Sequence, residues 1–129
     1  MKIEHIAIWT KELERSRDFY IRFFGAKSGE KYENNKKGFS SYFLSFEAGC
    51  RLEIMKMDGR SESRIDIEEQ YLGISHFAIS VGDKQSVNQL TETLREQGIT
   101  VVSEARESGD GYYESVVLDP DGNRIEITI

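Results

Sequence analysis

At 129 residues the chain has room for one compact domain, or for two very small modules sharing a core. Its 38% apolar and 31% charged residues fit a folded protein and exclude disorder along the whole length. A formal net charge of −6 argues against nucleic acid as a partner, because such partners favour a basic patch.

Cys50 is the only cysteine, so no intrachain disulfide can form and a reducing compartment is expected. It falls in a turn ahead of Glu53, where a plain turn residue is favoured over a catalytic thiol. The first residues run straight into a strand pattern rather than a leader. No segment reaches the roughly 18 apolar residues of a membrane span. Cytoplasmic localisation without membrane contact is the expectation.

Residues 2–9 alternate, with Ile3, His5, Ala7 and Trp9 on one face and Glu4, Ile6 and Ile8 on the other. Helical period follows from Lys11 to Phe24, with Thr10 as N-cap and Gly25 as terminator. An extended piece at 27–33, a turn at 34–38, an aromatic strand at 39–46, a turn at 47–50 and a strand at 51–57 complete a βαβββ module. Residues 58–73 break the alternation and read as a linker, irregular or briefly helical from Ile65 to Leu72. The pattern then restarts. A strand spans 74–81 and a helix runs from about Ser86 to Gln97, with Val87, Leu90 and Leu94 on one side and Gly98 as terminator. Residues 99–104 are extended, 108–111 turn, and 112–118 form a strand. Asp119-Pro120-Asp121-Gly122 reads as a type I turn into the last strand.

The two halves echo each other. Ile3-Glu4-His5-Ile6-Ala7-Ile8 matches Ile74-Ser75-His76-Phe77-Ala78-Ile79, 71 residues on. Gly49-Cys50-Arg51-Leu52-Glu53-Ile54 matches Gly122-Asn123-Arg124-Ile125-Glu126-Ile127, 73 residues on. Two copies of one supersecondary unit imply a pseudo-two-fold pair. The fold class is therefore α+β, one domain over 1–129, with modules at about 1–57 and 74–129.

The two histidines of the chain occupy equivalent positions of the repeat, and two glutamates match likewise. Each points away from its apolar neighbours, so all four lie on the faces that the helices leave open. If the first and fourth strands of a module are neighbours, each His stands beside its own Glu. Pseudo-symmetry then gathers His5, Glu53, His76 and Glu126 into a two-imidazole, two-carboxylate site. That donor set suits one divalent ion such as Ni, Co, Zn, Fe or Mn.

Together these motifs resemble the vicinal-oxygen-chelate superfamily of glyoxalase I, bleomycin-resistance proteins and extradiol dioxygenases. Ser16 to Gly25 and Asp119 to Glu126 carry the resemblance as well. It covers essentially the whole chain and is nearest to bacterial glyoxalase I. It implies paired βαβββ units whose mixed sheets curl around a metal cavity. The implied chemistry isomerises a hemithioacetal or an α-hydroxycarbonyl through a metal-bound enediolate, with Glu126 as the base and Glu53 serving the other face. A small-molecule substrate and a homodimer are implied too, the modules pairing within a chain or across the dimer. An epimerase, a thiol-transferase and a non-catalytic ligand-binding protein are the alternatives.

One position departs from the resemblance. Bacterial glyoxalase I carries an arginine that grips glutathione four residues after the first His, and here that residue is Trp9. The change argues against glutathione as co-substrate, with Arg60 as a weak substitute. Trp9 fits a pocket wall and a core position equally. If the 46–49 and 119–122 turns close as two-residue hairpins, Tyr42 lies opposite Glu53 and Ser115 opposite Glu126. Tyr42 and Tyr113 then become candidate substrate contacts.

Overall fold

Strand alternation and two amphipathic helices account for most of the architecture. The computed structural model describes residues 1–60 and 72–129. It divides into two units, Met1–Ser63 and Arg64–Ile129. The boundary falls within the stretch expected as a linker. The helical piece expected from Ile65 lies outside the described residues, apart from its last position.

Unit 1 runs β1 (His5–Trp9), α1 (Leu13–Phe24), β2 (Lys27–Ser28), β3 (Tyr32–Asn34), β4 (Phe39–Ser45) and β5 (Arg51–Met57). The extended piece expected at 27–33 holds two short strands, β2 and β3, which both pair antiparallel with β4. The sheet order is β1-β5-β4-β2, and β1 runs parallel to β5. First and last strands are thus neighbours.

Helix α1 covers one face of this sheet. Its Leu13, Ser16, Phe19 and Tyr20 are buried, as are Leu44, Leu52 and Ile54 on the strands beneath. Each buried aliphatic side chain contributes about 1.5–3 kcal/mol by removal from water. The helix starts later than its pattern suggested. Glu12 is the N-cap and makes no side-chain cap bond. Thr10, expected in that role, instead accepts from the Glu12 N–H at 3.2 Å and bonds the buried Ser16 hydroxyl at 2.6 Å. Gly25 ends the helix in the left-handed region, at φ 64°.

Unit 2 repeats the plan as β6 (Phe77–Ser80), α2 (Lys84–Glu96), β7 (Val101–Glu107), β8 (Tyr113–Leu118) and β9 (Arg124–Thr128). Its order is β6-β9-β8-β7, with β6 parallel to β9. Val87, Thr91 and Leu94 of α2 are buried, with Val117, Ile125 and Ile127 in the sheet. The cap of α2 is Asp83, three residues before the expected start. It accepts from the Ser86 N–H at 2.7 Å, and that bond holds its carboxyl below the usual range.

The turn before β9 is built on Asp119, which is 5% exposed. Its Oδ1 accepts from the Asp121 and Asn123 N–H groups at 2.9 and 2.8 Å, and its Oδ2 from the Asn123 amide at 2.8 Å. The Asp119 N–H also donates to the Asn123 carbonyl, so a three-residue tip of Pro120, Asp121 and Gly122 connects the strands. Both units are therefore α+β with mixed sheets, as the repeat required. Among the described residues no helix is long and apolar enough to cross a membrane.

Candidate metal centre

Parallel pairing decides which side chains share a face. In unit 1, His5 stands opposite Arg51, Ala7 opposite Glu53 and Trp9 opposite Met55. Alternation places Ile6, Ile8, Leu52 and Ile54 toward α1, and leaves His5, Trp9 and Glu53 on the other face. His5 Nε2 lies 3.8 Å from Glu53 Oε2. The imidazole is 39% exposed and the carboxylate 14%, so the pair is accessible from the His side.

Unit 2 builds the same pair. Ala78 stands opposite Glu126 in the β6/β9 ladder, and His76 immediately precedes β6. His76 Nε2 lies 3.2 Å from Glu126 Oε2. Burial raises the Glu126 pKa above its ordinary value. The nearby Glu114 and Asp110 charges raise it further, and His76 opposes them.

Both pairs fit a metal half-site. Two ligand atoms each about 2.1 Å from one ion stand roughly 3.0 Å apart at a right angle and 3.4 Å at a tetrahedral angle. The observed 3.2 and 3.8 Å separations need only small side-chain adjustments to meet that condition. Among the described residues no three His, Cys, Asp or Glu side chains form a group that could hold an ion.

The outer contacts of the two histidines differ. His5 Nδ1 meets Glu4 Oε2 at 2.6 Å. Glu4 is held as an anion by its bonds to His5 and Arg51, which lower its pKa. An ionised carboxylate can only accept, so His5 Nδ1 carries the proton and Nε2 faces Glu53. Arg51 binds Glu4 through Nε at 2.9 Å and through a second guanidinium N–H. Its guanidinium lies 4.1 Å over the Phe43 ring, which meets His5 edge-on at 5.4 Å. His76 Nδ1 has only the Ser75 hydroxyl at 3.4 Å.

The two expected tyrosine contacts are corrected by the register. Phe43, not Tyr42, stands opposite Glu53, and Val116, not Ser115, stands opposite Glu126. Both connections hold an odd number of residues where two-residue hairpins were expected, and a one-residue slip exchanges the faces. Tyr42 lies on the α1 side, where its hydroxyl accepts from Arg17 at 3.0 Å. Tyr113 lies on the α2 side and donates to Asn88 Oδ1 at 2.9 Å. Cys50 occupies the connection before β5, as a turn residue should. Sequence reasoning missed Glu4, Arg51, Phe43 and Glu114. The signal for Arg51 was its place beside His5 once β1 and β5 pair. For Glu114 it was alternation with Val116 and Leu118.

This architecture agrees with comparison to known proteins. Residues 2–127 match the Glyoxalase/Bleomycin resistance protein/Dioxygenase superfamily, and the chain belongs to that family. Within it the chain is glyoxalase I-like. It is 30% identical over 125 residues to the lactoylglutathione lyase GLX1 of Arabidopsis thaliana, covering 95% of this chain but only 42% of that longer protein. It is 28% identical to the lactoylglutathione lyase of Escherichia coli O157:H7, covering 98% of this chain and 91% of the relative. Among solved structures, the trypanothione-dependent glyoxalase I of Leishmania major superposes with a TM-score of 0.77 at 25% identity. That match covers 99% of this chain and 86% of the other.

Proposed function

We propose that the chain is a metal-dependent lyase or isomerase of glyoxalase I type, acting on a hemithioacetal or an α-hydroxycarbonyl. The observation that carries this reading is the recurrence of one His/Glu pair, at 3.8 and 3.2 Å, on equivalent strands of both units. The lactoylglutathione lyases among its relatives support an enzyme over a passive binding protein. His5, Glu53, His76 and Glu126 would hold one divalent ion (Ni, Co, Zn, Fe or Mn). The half-sites come from one chain or from the two chains of a homodimer.

Bound there, the ion would supply Lewis acidity toward two vicinal substrate oxygens and acidify the C–H beside them. The remaining work belongs to the chain. Glu126 removes that proton and returns it to the neighbouring carbon, so the product is an isomer and no electrons leave the substrate. Glu53 serves the opposite face of the substrate.

The first test is metal analysis of the purified, metal-loaded protein. One ion per two His/Glu pairs is expected, with its loss in His5→Ala. Less than that, or a His5→Ala protein with unchanged metal content, refutes the site. Turnover of methylglyoxal with glutathione against other thiols then separates a glyoxalase I from an epimerase or thiol-transferase of the same family.

A further inference from the structure

One wall of unit 1 has features that the His/Glu pair does not use. Trp9 is the only tryptophan of the chain and is 41% exposed, although tryptophan is usually well buried. Phe39 meets it edge-on at 6.2 Å, and Tyr32 continues the row 6.0 Å from Phe39. The ladders place Met55 opposite Trp9 and Met57 opposite Phe39. This aromatic and thioether surface begins one pleat beyond Glu53, about 7 Å along the strands.

A cation sits on that surface. Arg60 Cζ lies 4.7 Å from the Trp9 ring centroid, and one guanidinium N–H donates to Met57 Sδ at 3.3 Å. Among the described residues these are its partners, and neither is an anion. Stacking fixes the plane of the guanidinium and leaves most of its five donors for a planar anion, which a carboxylate meets with two bonds. The flat rings and polarisable thioethers beside it favour a planar apolar group. Glutathione is a polar tripeptide without such a group, and the Trp9 ring has no acceptor or charge to offer it.

We infer that this wall is the tail subsite of the proposed active site, and that the substrate carries a planar apolar group ending in a carboxylate. The inference rests on the proposed function for its link to catalysis, but not for the binding event. Trp9 gives the protein a single indole N–H resonance, which reports the subsite directly in metal-free protein. Titration with 3-phenylpropionate shifts that resonance saturably. The neutral 3-phenylpropanamide, ring-less propionate and glutathione each bind at least about tenfold more weakly, the size of one charge-assisted hydrogen bond. Arg60→Ala loses the same factor for 3-phenylpropionate while retaining the parent's metal content.

An indole signal unmoved by 3-phenylpropionate, or moved equally by the amide, overturns the subsite. So does a signal that shifts on dilution alone with a change in molecular size, because a second copy of the chain then occupies the patch. If metal analysis fails while 3-phenylpropionate still binds through Arg60, the proposed function falls and the subsite stands.

Discussion

Two histidines on equivalent strands are held in different ways. His5 has an anion behind it, and that anion is gripped by an arginine stacked on the ring that His5 touches. His76 has a distant hydroxyl. The carboxylates differ in the opposite sense. Glu126 shares its face with Glu114, whose charge adds to burial in raising its proton affinity. In unit 1 the position equivalent to Glu114, two residues before the one paired with the glutamate, is the neutral Ser41. One scaffold thus carries a His/Glu pair organised around its imidazole and another organised around its carboxylate. Duplication supplies the two pairs, and their neighbours make them differ.

The largest effect expected from breaking this comparison is loss of the ion. His5→Ala and His76→Ala should each remove stoichiometric metal, measured by elemental analysis after dialysis. Retention in either variant would show that its half-site is not a ligand pair. A smaller effect should distinguish the halves. Glu4→Ala frees the His5 tautomer and should weaken metal binding about 10–100-fold, the usual scale for outer partners of a metal-bound histidine. Ser75→Ala should change it by much less. Equal losses in a competition titration would contradict the asymmetry.

Glu126→Gln sharpens the carboxylate side. A carboxyl whose folded pKa is raised binds its proton more tightly when folded. Its destabilising contribution is present in full above the folded pKa and vanishes as pH falls below the ordinary value of 4.5. The metal-free variant should therefore be slightly more stable than the parent at neutral pH, with the difference closing in acid. Denaturant titrations at both pH values check this, and a less stable variant at neutral pH would reverse the sign. The smallest effect concerns the helices. Asp83→Ala should lower the melting temperature, whereas Glu12→Ala should not, because only Asp83 bonds a helix N–H. The Asp83 carboxyl is lowered, so its contribution is present above the ordinary value of 3.8 and fades as pH falls through the folded pKa.

The repeat made much of this legible. Matching Gly49 to Ile54 with Gly122 to Ile127 identified both glutamates, and the β1/β5 and β6/β9 ladders place each beside its histidine. Hairpin register was not legible, because Asp-Pro-Asp-Gly suits several loop lengths and the parity of the loop decides every face. That is why the two-residue hairpin expectation puts Tyr42 and Tyr113 on the wrong side. Glu4 was hidden by the alternation rule itself. It precedes the first strand residue, where its side chain can swing sideways to the adjacent imidazole. Sequence alone leaves Trp9 between core and pocket, and its exposure and the stacked Arg60 favour a pocket wall.

The parallel pairing of first and last strands has a consequence for how the chain is made. β1 waits for β5, and β6 for β9, so neither sheet closes until its own final strand is present. The repeat also creates a decoy, because β9 offers Arg-Ile-Glu-Ile where β1 needs the Arg-Leu-Glu-Ile of β5. Synthesis from the N-terminus settles the competition. Every described strand of unit 1 lies before residue 58, so β1 is already taken when the look-alike strand emerges. Refolding the full-length chain from denaturant removes that order and should expose the mispairing.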